Sequence, residues 1–468
     1  MPLTMSNSLN SFIEENRERL LSELKEYLAI PSISTLPEHK EDVRSAAGFV
    51  AESLKSAGLE NVKLIQPESI SGLAGGRHPL VYADWLHAPG KPTILCYGHY
   101  DVQPPDPLHE WISPPFEPTV RGGDLYARGA SDDKGQMFAH IKAVEVLNAI
   151  HGEPTLNLRF LIEGEEEVGG ETIAAYIANH KEHLKADAAL VSDTAMYAAD
   201  TPTICTGLRG MIQMEWEAHS SDRDLHSGVY GGVAPNAVFG LIELLARCKN
   251  NEGTITIPGI YDDVCDPAPL EKESWAHLPF DETNYRVAEV GSSQLTGERG
   301  YSVFERTWAR PTFEVHGIRG GFTGPGSKSV IPAQAVAKVS IRLVPDQDPE
   351  KVLKIVRQFV ADNSPEGVEV EVRELAAAPA SVVSPDHFAI AKAAQALEEL
   401  FGNKTVYVRC GGSVPVVGDI ATHLGIPSAM MGFGLPDDRL HSPNEKFHLD
   451  NYYKAIHAVA RFFELLGE

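Results

Sequence analysis

The sequence lacks the marks of a secreted or membrane chain. Its first twenty residues, MPLTMSNSLNSFIEENRERL, hold no apolar core of leader length. No run of roughly 18 apolar residues occurs, so no transmembrane helix and no membrane partner are expected. Cysteine is scarce: Cys96, Cys205, Cys248, Cys265 and Cys410 are widely spaced and form no CxxC pair. This argues against a disulfide framework or a thiolate zinc site and fits reduced thiols in a cytoplasm. Positive charge is also in deficit, with 40 Lys+Arg against 65 Asp+Glu and a formal net charge of −25. A phosphate backbone needs a basic surface, so nucleic acid is not an expected partner. Repeats, low-complexity tracts and long like-charge blocks are missing too. Hydrophobic residues at 43% instead supply a large core, and 468 residues should divide into two or three domains.

What is present is an alternation of element types. Residues 8–30 and 41–57 carry apolar residues at helical spacing. Buried-type strands at 93–98, 156–162, 188–192 and 427–432 then alternate with helical patterns at 134–150, 172–183, 387–401 and 452–466. The order predicts an α/β domain, a mostly parallel sheet with helices on both faces. Between residues 207 and 379 the pattern changes. Residues 335–344 and 368–373 alternate apolar and polar, as strands with one wet face do. Helical patterns at 234–249 and 349–362 accompany them. We read an inserted α+β (ferredoxin-like) domain at 207–383, between catalytic segments 1–206 and 384–468. The stretch from about 250 to 310 reads as a long irregular segment, rich in Pro, Gly and acids.

Open α/β sheets bind ligands beyond the carboxyl ends of their strands. There the sequence places His99 and Asp101, the run Glu163, Glu165, Glu166 and Glu167, then Asp193 and, on a longer loop, His441. Asp132 and Asp133 precede the helix at 134. Imidazoles with several carboxylates and no thiolate suit Zn²⁺, Mn²⁺ or Co²⁺. So many carboxylates in one cleft need compensation, and two divalent ions would provide it.

The motifs GHYDV, RGASDDKG, EGEEEVGG, VSDT, DLHSGVYGG and HSPNE stand in order along nearly the whole chain. Together they resemble the two-metal metallopeptidases that include carnosinase-type cytosolic dipeptidases, aminoacylases, desuccinylases and glutamate carboxypeptidases. GIRGGFTGPGSKSVIP, SIRLVP and GGSVP look most like the carnosinase-type non-specific dipeptidase branch. The resemblance implies that His99 and Asp193 bind one ion, Glu167 and His441 the other, and Asp132 both. The two divalent ions per subunit would be Zn²⁺ first, with Mn²⁺ or Co²⁺ as alternatives. It implies Asp101 as the carboxylate that orients His99, a cis peptide at Asp132–Asp133, and Glu166 as general base for attack by a metal-bound hydroxide. His226 would act in the active site of a partner subunit, in a homodimer formed through the inserted lid domain. Arg342 would take the substrate carboxylate, with Ser329, His387, Gly412 and Ser413 as further substrate contacts.

One departure stands beside the GGS motif, where relatives carry an acidic residue and this chain has Cys410. The expectation is therefore a cytoplasmic metal-dependent dipeptidase acting on short unblocked peptides. Two alternatives are an N-acyl-amino-acid deacylase or desuccinylase of the same family, and an inactive binding homologue that keeps the fold.

Overall fold

The computed structural model describes residues 2–73, 77–412 and 414–468. Two compact units emerge. One comprises 1–206, 383–408 and 414–468; the other is Gly207–Val382 with a short segment that begins at Arg409. The inserted unit thus also takes in a piece of chain that sequence reading assigned to the last catalytic segment.

The first unit is built on a nine-stranded sheet. Its centre is parallel: Thr93–His99 lies between Asn157–Glu163 and Ala188–Val191, and Ser428–Met430 pairs with the far side of Ala188–Val191. Antiparallel strands flank this centre. Leu80–Trp85 and Glu60–Ile65 extend one side, and Thr203–Leu208 extends the other. The central strands are buried on both faces, which explains their uninterrupted apolar runs. Helices Pro2–Leu28, Lys134–His151 and Leu449–Gly467 pack together in the same core as the sheet. Helix Lys134–His151 stops at Gly152, whose φ of 85° suits a left-handed cap.

The second unit carries a four-stranded antiparallel sheet in the order Thr312–Gly320, Gln334–Leu343, Gly210–His219, Glu369–Ala378. Helices Ala237–Ala246 and Pro349–Asn363 complete a ferredoxin-like βαββαβ succession. Their apolar faces cover Ala337, Val339 and Ile341, leaving Lys338, Ser340 and Arg342 on the opposite face of the strand. The segment at 250–310 contains helices Pro269–Ala276 and Val303–Trp308, short elements that its Pro, Gly and acid content concealed. Among the described residues no helix is long and apolar enough to cross a membrane.

Candidate metal centre and active site

Parallel register explains why the site forms. Thr93–His99 and Asn157–Glu163 run side by side with His99 opposite Glu163. Tyr97 sits opposite Val191, so the chain reaches Asp193 at the same edge. Three strand ends therefore deliver an imidazole and carboxylates to one row. Asp132 arrives from the loop before helix Lys134–His151, where the Asp132–Asp133 peptide is cis. Gly135 lets that loop close, because a Cβ there would lie 2.0 Å from the Ala130 carbonyl oxygen. His441 comes from a loop and holds a φ of 57°, a strained value for a residue with a side chain.

Two groups of metal-ligating atoms share one residue. His99, Asp132 and Asp193 form one group, and Asp132, Glu167 and His441 the other. The Asp132 carboxylate spans them: Oδ1 lies 3.1 Å from His99 Nε2 and Oδ2 lies 2.9 Å from His441 Nε2. Glu167 Oε1 is 3.3 Å from His441 Nε2, and Asp193 Oδ2 is 4.0 Å from His99 Nε2. Within each group the ligand atoms all lie within 4.8 Å of one another. The other nitrogen of His99, Nδ1, is 3.1 Å from the Asp101 carbonyl and 3.4 Å from its carboxylate. An acceptor at Nδ1 leaves Nε2 to face the carboxylates. The carboxylate of Asp101 also accepts from the Glu167 N–H at 3.2 Å.

The EGEEEVGG motif separates its acids by geometry. Glu166–Val168 form a 3₁₀ turn, and Gly169 and Gly170 at φ 104° and 65° lead into helix Glu171–Asn179. Successive residues of such a turn point about 120° apart. Glu167 joins the ligand group and accepts from Gln103 Nε2 at 2.8 Å. Glu165 turns inward and accepts from the His78 and Thr172 N–H groups and the Thr172 hydroxyl. Glu166 belongs to neither arrangement.

Electrostatics fits a cation-binding cleft. Burial, then the Asp132 charge, pushes Asp193 up to about 7. Burial followed by the charges of Asp193, Glu167 and Glu163 pushes Glu166 up to about 9, against the pull of His99. Hydrogen bonds to Asp132 and Glu167 hold His441 up to about 10. These are the signatures of surplus negative charge packed around two imidazoles. Two imidazole nitrogens with three carboxylates, one of them shared, are a donor set that divalent cations satisfy.

The loop that carries Asp132 is held by residues that sequence reasoning did not assign. Glu445, fully buried, accepts from the backbone N–H of Gly129, Ser131 and Asp132, each at 3.1 Å. Its other partner is Arg128, at 2.6 Å. Ser131 Oγ donates to Asp438 at 2.8 Å, and Gln136 ties the Ser131 carbonyl to the Phe433 N–H. The loop that ends in HSPNE thus supplies His441 and also grips the loop of Asp132. Glu445 closes that motif, but a lone acid on a loop gives the sequence reader no sign that it is buried.

Other expected site residues are not members of the two ligand groups. His226 is exposed in the inserted unit, and its Nδ1 accepts from the Gly228 N–H at 3.0 Å. Ser329 is exposed in the same unit, where its carbonyl accepts from the Ser227 N–H. Arg342 is half-buried on its sheet. His387 caps helix Phe388–Phe401, with Nδ1 3.4 Å from the Ala389 nitrogen. Gly412 is exposed, and Ser413 lies outside the described residues.

Residues 95–465 match peptidase family M20/M25/M40, and the chain belongs to that family. It is 31% identical to the Cys-Gly metallodipeptidase of Schizosaccharomyces pombe, across 96% of both chains. It is 30% identical to the Beta-Ala-His dipeptidase of Mus musculus, across 97% of this chain and 94% of the relative. The solved structure of human carnosine dipeptidase 1 superposes with a TM-score of 0.81 at 28% identity, covering 99% of each chain.

Proposed function

We propose that this member of the M20/M25/M40 peptidases is a metal-dependent dipeptidase that cleaves short, unblocked peptides. The observation that carries the reading is the shared carboxylate of Asp132, flanked by two ligand groups, with Glu166 unused beside them. Full-length relatives named as dipeptidases support it over deacylation.

In this reading His99, Asp132 and Asp193 hold one divalent ion, and Asp132, Glu167 and His441 hold the other. When bound, such a pair supplies water activation and polarises the scissile carbonyl. The ligand set suits Zn²⁺, with Mn²⁺ and Co²⁺ as alternatives. Glu166 takes the proton of the attacking water and delivers it to the leaving amine. Asp101 keeps His99 in one orientation through Nδ1. His226 accepts at Nδ1, so its free nitrogen Nε2 carries the proton and is a donor for the developing oxyanion. Arg342 takes the substrate carboxylate by a bidentate fork. Ser329, His387, Gly412 and Ser413 are assigned as further substrate contacts from the family resemblance alone.

We assign His226 to the active site of a partner subunit, in a homodimer made by the inserted lid domain. The outer strand Thr312–Gly320 supports this: it is a sheet edge with Val315 and Ile318 exposed. Nearby in sequence to His226, Val229 and Val233 are 67% and 81% exposed, and Phe239 is 68% exposed. The five cysteines are all thiols, consistent with our assignment to the cytoplasm.

The test strips the protein of metal, restores single ions and assays free and N-acetylated dipeptides in parallel. Cleavage of the free series, restored by Zn²⁺, Mn²⁺ or Co²⁺, is expected. Cleavage confined to the N-acetylated series would replace the reading with deacylation.

A further inference from the structure

The inserted unit contains a cavity of about 450 Å³, within the size range of small-molecule sites. Its floor is the polar face of the sheet. Thr312 and Glu314 stand opposite Arg342 and Ser340 in register, and all four line it. Its other walls come from the 250–310 segment, through Gly253, Thr296, Glu298 and Arg306. Every lining residue belongs to the inserted unit.

The charge of this lining is opposite to that of the chain. Arg209, Lys249, Arg306, Arg310 and Arg342 face two carboxylates, Glu298 and Glu314, a formal +3 in a molecule of −25. Both carboxylates are already engaged. Glu298 grips Arg310 through two contacts of 2.8 Å, and Glu314 lies 3.6 Å from Lys249. Arg209 is anchored by Nε to the Gly411 carbonyl at 2.9 Å, and Arg306 by Nε to the Glu298 carbonyl at 2.9 Å. A side chain at Gly411 would be crowded, since a Cβ would sit 3.1 Å from Arg209 Nη2 and 3.1 Å from the Thr307 carbonyl oxygen. Burial, with the Arg342 charge behind it, pushes Arg209 down to about 10. Clustered guanidinium groups favour an anion among them.

We infer that this cavity receives the second residue of the substrate and selects an acidic side chain there. Arg342 takes the terminal carboxylate, and Arg209 with Arg306 takes the side-chain carboxylate of an Asp or Glu. The inference rests on the assignment of Arg342 as the carboxylate anchor of a dipeptidase.

The test compares Ala-Glu with Ala-Gln, which share shape and differ in charge, on the full metal-loaded protein. The expected preference is about tenfold or more in kcat/KM, lodged in KM, as charge-assisted hydrogen bonds give. It should shrink as NaCl is raised. Arg306→Met should reduce the ratio to about threefold or less, and Arg306→Lys should restore part of it. A wild-type ratio near or below one, with both dipeptides cleaved, overturns the selectivity while leaving the dipeptidase intact. A ratio unchanged in Arg306→Met with a native circular dichroism spectrum also overturns it. If neither dipeptide is cleaved, the dipeptidase reading fails. Calorimetric affinities for the same two peptides then decide the cavity by the same ratio.

Discussion

The proposed function gives the adjacent acids Glu166 and Glu167 separate tasks, and single substitutions can tell them apart. Glu166 lies outside both ligand groups, so Glu166→Gln should keep two ions per subunit by elemental analysis. Loss of a general base should lower kcat about 10²- to 10⁴-fold. If Glu166→Gln instead emptied the site of metal, Glu166 would be a ligand. Glu445 makes a contrasting prediction. Removing its side chain leaves Arg128 and the Gly129, Ser131 and Asp132 N–H groups without their shared buried acceptor. Breaking a buried ion pair of this kind costs about 3–5 kcal/mol, so urea unfolding of metal-free Glu445→Ala should show a loss of that size. A loss below about 1 kcal/mol would mean that the loop holds itself. The two residues also mark what single residues reveal in a sequence. The metal-ligating side chains could be found because strand ends announce where side chains gather. Glu445 could not, because its role depends on a buried arginine more than 300 positions away.

At the scale of elements, helix Lys134–His151 lies against the central sheet and carries a titratable group into the core. His140 is fully buried, with Nε2 2.7 Å from Ser192 Oγ. Burial alone pushes it down to about 3. Its folded pKa lies below the ordinary value near 6.5, so the unfolded chain takes up a proton first. The stability it contributes is full above pH 6.5 and drains away as the pH falls toward 3. Between pH 7.5 and 5.5 the loss should be about 1.4 kcal/mol, and His140→Gln should lack it. Equal pH slopes for the two proteins over that window would show that His140 is protonated in the folded state. Sequence patterns found this helix, because Met137, Ile141 and Val144 recur at helical spacing. They found the parallel centre for a similar reason, as fully buried strands are short apolar runs. The edge strand Glu60–Ile65 escaped, since it is mostly exposed and has neither an apolar run nor a strict alternation. The helices of the 250–310 segment escaped because Pro and Gly flank runs of only six to eight residues.

For the whole molecule, the proposed homodimer turns on which chain completes which active site. A residue acting in a neighbour's site makes a homodimer two sites that each borrow from the other. Sequence periodicity cannot reveal this, because an edge strand such as Thr312–Gly320 carries the same alternation whether it meets water or a second copy. Complementation can. A Glu166→Ala subunit keeps a good His226, and a His226→Ala subunit keeps a good Glu166. Each homodimer should be inactive. After the two are unfolded, mixed equally and refolded with metal, half of the dimers are mixed on statistical grounds. In each mixed dimer one site combines Glu166 of one subunit with His226 of the other. Activity should therefore return to about one quarter of the wild-type value. If His226 served its own chain, every site in the mixture would lack one of the two groups. Activity would then stay at the level of the separate variants, with the dimer still intact by light scattering.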